Sequence, residues 1–318
     1  MKTEISTDRN AAVELLRQGE VVALPTETVY GLAANALDPI AVAKIFEAKG
    51  RPRFDPLIVH LPDADWVERV AELPAQDRQL ILQLAEKFWP GPLTLVLPKR
   101  EIVPDIATAG LDTVAIRISA HPVFAQIVRA FGKPLAAPSA NRFGRISPTT
   151  AQHVFDELDG HIPLIIDAGP STHGIESTIV TVHDGKIDIL RRGPITSEQL
   201  SASGEVNIAK PGEKISAPGQ LPSHYAPKTP LRIVDDLKSF NSNQRCALLA
   251  WNPTKDDERF VAIRNLSDKQ DLREAAANLF RYLRELDALD VDLIVAERVP
   301  DQELGAAILD RLQRASHV

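Results

Sequence analysis

At 318 residues, with 44% hydrophobic and 25% charged residues, the chain has the composition of a globular protein of two domains or one large one. Its net charge of −7 argues against a general nucleic-acid coat, and its single cysteine, Cys246, excludes an internal disulfide framework. The longest apolar runs are strand-length, which excludes a membrane span.

In chain order, the polar start MKTEISTDRN shows no secretory signal, and with one cysteine it implies a reducing, cytoplasmic setting. Strands are predicted at 21–24, 57–61, 93–97, 113–119, 135–137, 164–167, 178–182 and 187–190. Helices are predicted at 40–48, 77–88, 123–131 and 150–157, and Thr196 with Gln199 reads as a capping box. That alternation predicts an α/β domain with a mixed sheet over residues 1–205. Pro211, Pro218, Pro222, Pro227 and Pro230, with Gly212 and Gly219, then exclude a helix or a central strand, so 206–229 reads as a linker. From 230 to 318, the strands LRIV, CALLAW, FVAI and LIVAE with two helices predict a smaller parallel, Rossmann-like domain. It has no G-x-G-x-x-G, so no dinucleotide site is expected there.

The chemistry-bearing residues cluster around strand ends. In KGRPRFDPLIVH, Lys49, Arg51 and Arg53 alternate with Gly50 and Pro52 ahead of an apolar strand, and three cations at a sheet edge call for an anion such as a polyphosphate. Lys49 by itself could simply complement a helix dipole. In TVAIRIS, Val114, Ile116 and Ile118 face one way and Thr113, Ala115 and Arg117 the other. Arg117 suits either a carboxylate or a solvated sheet face. His60 in LIVHL is open to a structural or a functional role. The turn APSANRFGRISPTT offers Ser139, Asn141 and Ser147 around Gly144, and IESTIV offers Ser177 and Thr178. Ile175 and Glu176 stand where a Walker loop needs Lys and Ser/Thr, there is no G-x-S-x-G elbow, and Cys246 reads as core. The eight histidines show no zinc spacing, so a metal site built from protein alone is not expected.

Taken together and in order, PTETVYGL, KGRPRFDPLIVH, WPGPLTLVL, VAIRIS, PLAAPSANRFG, ESTIV and ILRRG resemble the YrdC-like family of threonylcarbamoyl-AMP synthases. HYAPKTP and LGAAILDRLQRA resemble its longer, two-domain type. The resemblance implies a YrdC-like open twisted sheet and the synthesis of threonylcarbamoyl-AMP and pyrophosphate from L-threonine, bicarbonate or CO2, and ATP. A separate transferase would pass the product to tRNA, and direct tRNA binding is left undecided. It implies that Thr28, His60, Arg117, Ala137 and Ser177 hold threonine, Ala137 through backbone alone. Arg51, Thr113, Ser139, Ser147 and Arg191 would hold ATP, with Arg51 on phosphate, Lys49 and Arg53 assisting, and Mg2+ arriving with the triphosphate. Asp55 stands where the family commonly has Asn. It cannot donate to phosphate, but it could accept from ribose or adenine or help hold magnesium, and it is included in the ATP site. By the same resemblance the linker is a lid across the site, with Tyr225 near the nucleotide. Two other readings compete: an RNA-binding module using a basic cleft, and a related carbamoyl-adenylate chemistry with another acceptor.

Overall fold

The computed structural model describes residues 2–209, 218 and 224–317, which form two compact units. The first comprises Met1–Phe143, Pro148–Ser171 and Glu176–Gln220, and the second Gly144–Ser147, Thr172–Ile175 and Leu221–Val318. Most of the proline-rich stretch expected as linker and lid lies outside the described residues.

The first unit is built on strands β1 (Glu4–Ser6), β2 (Val22–Leu24), β3 (Gly31–Asn35), β4 (Ile58–His60), β5 (Leu93–Pro98), β6 (Thr113–Arg117), β7 (Leu135–Ala136), β8 (Leu164–Ile166), β9 (Thr178–His183), β10 (Lys186–Arg191) and β11 (Glu205–Ile208). They form one mixed sheet in the order β1-β8-β2-β3-β7-β4-β6-β5-β9-β10-β11. Pairing is parallel for β4·β6 and β5·β9 and antiparallel for β4·β7, β5·β6 and β9·β10. The mixed α/β architecture agrees with the sequence reading. Three strands it did not contain are β1, β3 and β11. β3, GLAAN, has the glycine and alanine that strands ordinarily lack, so only its neighbours β2 and β7 make it a strand.

Helices cover the two sheet faces unequally. One face is buried along its length under the main core, which includes Val59, Leu95, Ile116 and Val180 with Val42 and Ile45 of the helix Pro39–Lys49. On the other face, the helices Arg9–Arg17 and Pro122–Phe131 pack over Leu24, Leu135 and Ala137. Beyond them that face carries a further buried cluster, Ile58, Val96, Ala115 and Ile179, with Leu190 packed against it. Strand alternation enforces the division, because every second side chain must turn away from the main core.

The helix Pro39–Lys49 starts where Asp38 accepts the Ile40 and Ala41 amide hydrogens, with proline at its first turn. It stops at Gly50, whose left-handed φ of 59° is a conformation that only glycine adopts without strain. That stop delivers Lys49 and the cationic turn to the sheet edge.

In the second unit, β12 (Leu231–Val234), β13 (Cys246–Ala250), β14 (Phe260–Asn265) and β15 (Leu293–Glu297) form a parallel sheet in the order β12-β15-β13-β14. The helix Leu272–Asp287 buries an apolar stripe that includes Leu279, Phe280 and Leu283. Cys246 is buried in this unit, consistent with the core role read from CALLAW.

Candidate functional site

The strand ends around Ile58, Val96, Ala115 and Ile179 gather most of the chemistry-bearing residues, most of them buried. His60 on β4 lies directly beside Arg117 on β6, and Ile58 beside Ala115. Ala115 faces Val96 of β5, Thr94 lies beside Ile179 of β9, and Arg191 of β10 pairs with Ile179 across a register shift. Ala137 follows β7 and donates its N–H to the Ile58 carbonyl at 2.9 Å. Thr94, Ala115 and Arg117 therefore share a face with His60, around an apolar floor of Ile58, Val96, Ala115 and Ile179.

At one end stands Arg117, 2% exposed. Its Nη1 donates to Thr28 Oγ1 (3.1 Å), its Nε to the Gly91 carbonyl (3.2 Å), and its Nη2 to Glu27 Oε1 (2.5 Å). Ser119 Oγ donates to Glu27 Oε2 at 2.5 Å. Burial would raise the Glu27 pKa, but Arg117 and Ser119 outweigh it and hold the carboxyl at about 2. His60 is buried beside this pair, its ring 4.7 Å from that of Phe124. Burial first, and then the neighbouring Arg117 cation, push its pKa down to about 3. The imidazole is therefore neutral at physiological pH, and its buried Nδ1 has no hydrogen-bond partner among the described residues.

The sign of the pH dependence follows. Unfolded His60 takes up a proton near pH 6.5, whereas the folded residue resists until about 3. Its contribution to stability is present above 6.5 and is lost as pH falls toward 3. Glu27, also depressed, loses its contribution only between 4.5 and about 2. We expect His60→Gln to flatten the fall in melting temperature between pH 6.5 and 4.5, where Glu27 does not yet titrate. Parallel wild-type and variant curves across that window would contradict the assignment.

At the other end lies the cationic turn. Lys49 is 2% exposed, and its Nζ donates to the carbonyls of Ser139 (2.5 Å) and Asn141. Burial, and next the Arg51 cation, push its pKa well below the usual lysine range. Arg51 turns inward and braces its own turn: Nε donates to the Asp55 carbonyl (3.2 Å) and Nη2 to the Pro56 carbonyl (2.9 Å). Nη2 also lies 2.8 Å from the fully buried Asp55 carboxylate. Burial raises the Asp55 pKa, against the pull of Arg51, Lys49 and Arg191. Arg191 Nη2 donates to Ser177 Oγ (3.0 Å), which lies 2.8 Å from Thr94 Oγ1. Arg51, Lys49 and Arg191 all act electrostatically on Asp55, and Glu157 acts on Lys49; the two guanidiniums give the turn a positive charge that suits anions. Arg53 is exposed and does not join them.

The structure brings together Thr28, His60, Arg117 and Ala137, with Ser177 joined to them through Thr94, one position on from the Leu95–Ile116 pair and so opposite Arg117, and it gathers Lys49, Arg51, Asp55, Ser139 and Arg191 around the cationic turn. Thr113 shares the strand face but lies at the far end of β6, about 13 Å from Arg117 by strand rise. Ser147 and Tyr225 belong to the second unit. There the segment Gly144–Ser147 meets the chain after Tyr225, as the Ala226 N–H donates to the Gly144 carbonyl at 2.9 Å. Tyr225 is buried with a left-handed φ of 64°, its ring stacked 5.5 Å from Phe280 with the Arg311 guanidinium 5.4 Å above it. Its described neighbours are those of a packed side chain of the second unit.

Three residues were missed by the sequence reading: Glu27, Ser119 and Thr94. Thr94 is a polar side chain inside an otherwise apolar strand, the same signal that marked His60 and Arg117, whereas Glu27 stands between Thr26 and Thr28 and carries no such signal. Among the described residues, no group of three or more His, Cys, Asp or Glu could hold a metal ion. No helix among them is long and apolar enough to cross a membrane.

Comparison with known proteins gives consistent matches. A Sua5/YciO/YrdC family model, described as telomere recombination, matches residues 14–193. A second, described as the C-terminal domain of threonylcarbamoyl-AMP synthase, matches residues 195–317. The threonylcarbamoyl-AMP synthase of Pyrococcus abyssi is 40% identical, with 96% of this chain and 93% of that one covered. That of Bacillus subtilis is 41% identical, with 96% and 92% covered. The crystal structure of P. abyssi Sua5 complexed with L-threonine superposes with a TM-score of 0.90 at 38% identity, covering 99% of this chain and 98% of that one.

Proposed function

Since the chain belongs to the two-domain threonylcarbamoyl-AMP synthases of the Sua5/YrdC family, we propose that it condenses L-threonine, bicarbonate or CO2, and ATP into threonylcarbamoyl-AMP and pyrophosphate, on the sheet face of its first unit that carries His60 and Arg117. One observation carries the residue assignment: His60 and Arg117 are lateral neighbours on parallel strands, and the cations Lys49, Arg51 and Arg191 gather around the same carboxylate.

Threonine takes the Arg117 end. Its carboxylate meets the guanidinium, while Thr28, neutral His60, Ser177 and the backbone of Ala137 orient its polar groups. The triphosphate takes the cationic end, at Lys49, Arg51, Arg191 and the Ser139 turn. The nucleoside extends over the apolar floor of Ile58, Val96, Ala115 and Ile179 toward Thr113.

The threonine nitrogen adds to CO2, losing a proton, and a carbamate oxygen then attacks the α-phosphorus while pyrophosphate leaves. No covalent enzyme intermediate is required. What the protein supplies is alignment of the two substrates and fixed positive charge facing the phosphates. Magnesium would arrive with the triphosphate and would supply neutralising charge to the phosphates. Asp55, the buried carboxyl beside Arg51, is the acid of this turn that would face it, and the phosphates themselves would supply the remaining oxygens.

The product feeds N6-threonylcarbamoyladenosine formation in tRNA, through a separate transferase, in the cytoplasm. A surface RNA-binding module fits less well, because Lys49, Arg51 and Arg191 are at most 8% exposed and cannot form an outward basic stripe.

The deciding measurement is pyrophosphate release with ATP, bicarbonate and magnesium, with and without threonine. We expect release to depend on threonine, and release that proceeds equally without it would remove the assignment. Dependence on a different amino compound would point to another acceptor for the carbamoyl-adenylate chemistry.

A further inference from the structure

Arg117 does not wait for its ligand as an isolated cation. Glu27, one residue before Thr28, is 6% exposed and places one carboxylate oxygen on Arg117 Nη2 and the other on Ser119 Oγ, each at 2.5 Å. Ser119 is fixed in turn, its Oγ accepting the His121 N–H at 3.2 Å. The acid is thus held from two sides, between the turn after β2 and the end of β6.

A receptor built only to grip a carboxylate gains nothing from a buried carboxylate against its one arginine. The acid weakens the attraction for any anion, and bringing two charges out of water is itself costly. The arrangement makes sense for a guest carrying both signs. With His60 neutral, the Arg117–Glu27 pair itself presents one plus and one minus. A free amino acid is likewise a carboxylate and an ammonium on adjacent atoms.

We propose that Glu27 is the specificity-determining residue of the amino-acid end, pre-neutralising Arg117 so that the site accepts a zwitterion and rejects simple anions. The inference rests on the amino-acid reading given above. It assigns to Glu27 a role distinct from merely orienting Arg117. Discrimination comes from the like-charge term: an anion without an ammonium group meets Arg117 but is repelled by Glu27, whereas the zwitterion satisfies both. Orthophosphate and small carboxylates, which are abundant beside an ATP-consuming site, are excluded by the same means.

The test compares L-threonine with (2S,3R)-2,3-dihydroxybutyrate, which keeps the carboxylate and side-chain hydroxyl but replaces the ammonium by a hydroxyl. Binding of each to the full chain is measured by calorimetry. Wild-type protein should prefer threonine by about tenfold or more, the magnitude of one well-placed charge. Glu27→Gln keeps the shape of the side chain and removes the charge. It should weaken threonine by about tenfold and tighten dihydroxybutyrate, so that the preference narrows or inverts. A purely orienting role would weaken both ligands in parallel, and an unchanged ratio overturns the inference. If Glu27→Gln does not fold, the wild-type comparison still decides, because equal affinity for the two ligands is incompatible with a charge-reading Glu27. Absence of threonine binding to wild-type protein would overturn the amino-acid reading as well. Threonine binding with an unaltered ratio would overturn this inference alone.

Discussion

Arg117→Ala is expected to raise the threonine concentration needed for half-maximal pyrophosphate release by about 100-fold, the loss of a charge-assisted bidentate partner. It is also expected to destabilise the first unit by about 3–5 kcal/mol, since Glu27 is left as a buried charge without its partner. The two effects are separable. The double variant Arg117→Ala/Glu27→Gln removes the stranded charge, so it should recover much of the stability but none of the threonine affinity.

The pH response provides a further check. Without Arg117, burial dominates Glu27 and its folded-state pKa rises above the ordinary value of 4.5. A raised carboxyl penalises the folded state as pH rises through the ordinary value toward the folded one. From Glu27 the single variant should therefore gain relative stability on mild acidification, whereas in wild-type protein the same residue costs stability only as pH falls from 4.5 toward 2. Denaturant unfolding at pH 7 and pH 4.5, with the threonine titration, covers all three outcomes. An unchanged threonine requirement would remove Arg117 from the site.

Gly193→Ala is expected to be damaging although it adds a single methyl group. A Cβ at this position would sit 2.4 Å from the Thr178 nitrogen, 2.6 Å from the Glu176 carbonyl oxygen and 2.6 Å from the Ser177 carbonyl carbon. All three are backbone atoms, so no side-chain rotation can relieve the contact. The end of β10 and the start of β9 must move apart. That displaces Ser177, which holds Arg191 through its carbonyl and hydroxyl and meets Thr94 through its hydroxyl. We expect a stability loss of about 1–3 kcal/mol. Turnover should fall by about 100-fold, the usual consequence of an ångström-scale shift in a positioning group. Gly204→Ala is the control: its Cβ would meet only Leu80 Cδ2 at 3.6 Å and Ile187 Cδ1 at 3.7 Å within side-chain reach, so it should be close to neutral. Normal turnover by Gly193→Ala would show that the Ser177–Arg191 contact does not matter.

Both predictions depend on strand adjacency, and there the legibility of the sequence changes. Alternation in TVAIRIS and LIVHL already separated Ile116 and Val59, which enter the main core, from Arg117 and His60, which do not. The stop at Lys49–Gly50 was also legible, because glycine after a helix and a cation in its last turn are local signals. Strand β3 was not legible, since nothing in GLAAN favours an extended chain apart from the neighbours that pair with it.

The inward turn of Arg51 was equally hidden. Composition marks an arginine as a partner for anions, but it says nothing of the Asp55 and Pro56 carbonyls that the side chain grips in the folded turn. Glu27 is the sharpest case. It stands in the quoted motif PTETVYGL, yet its partner is 90 residues away in sequence.

The amino-acid sequence by itself determined which strand residues face the core, where the helix before the cationic turn ends, and which side chains suit a phosphate or a carboxylate, whereas threonine as the guest came from the resemblance. Those properties follow from periodicity, capping and side-chain chemistry, all of which act within a few residues. Only the tertiary structure decided that Glu27 neutralises Arg117, that Ser177 links Arg191 to Thr94, and that Tyr225 is packed under Arg311 in the second unit. These are long-range pairings, fixed by which strands and helices become neighbours when the whole apolar surface is buried at once.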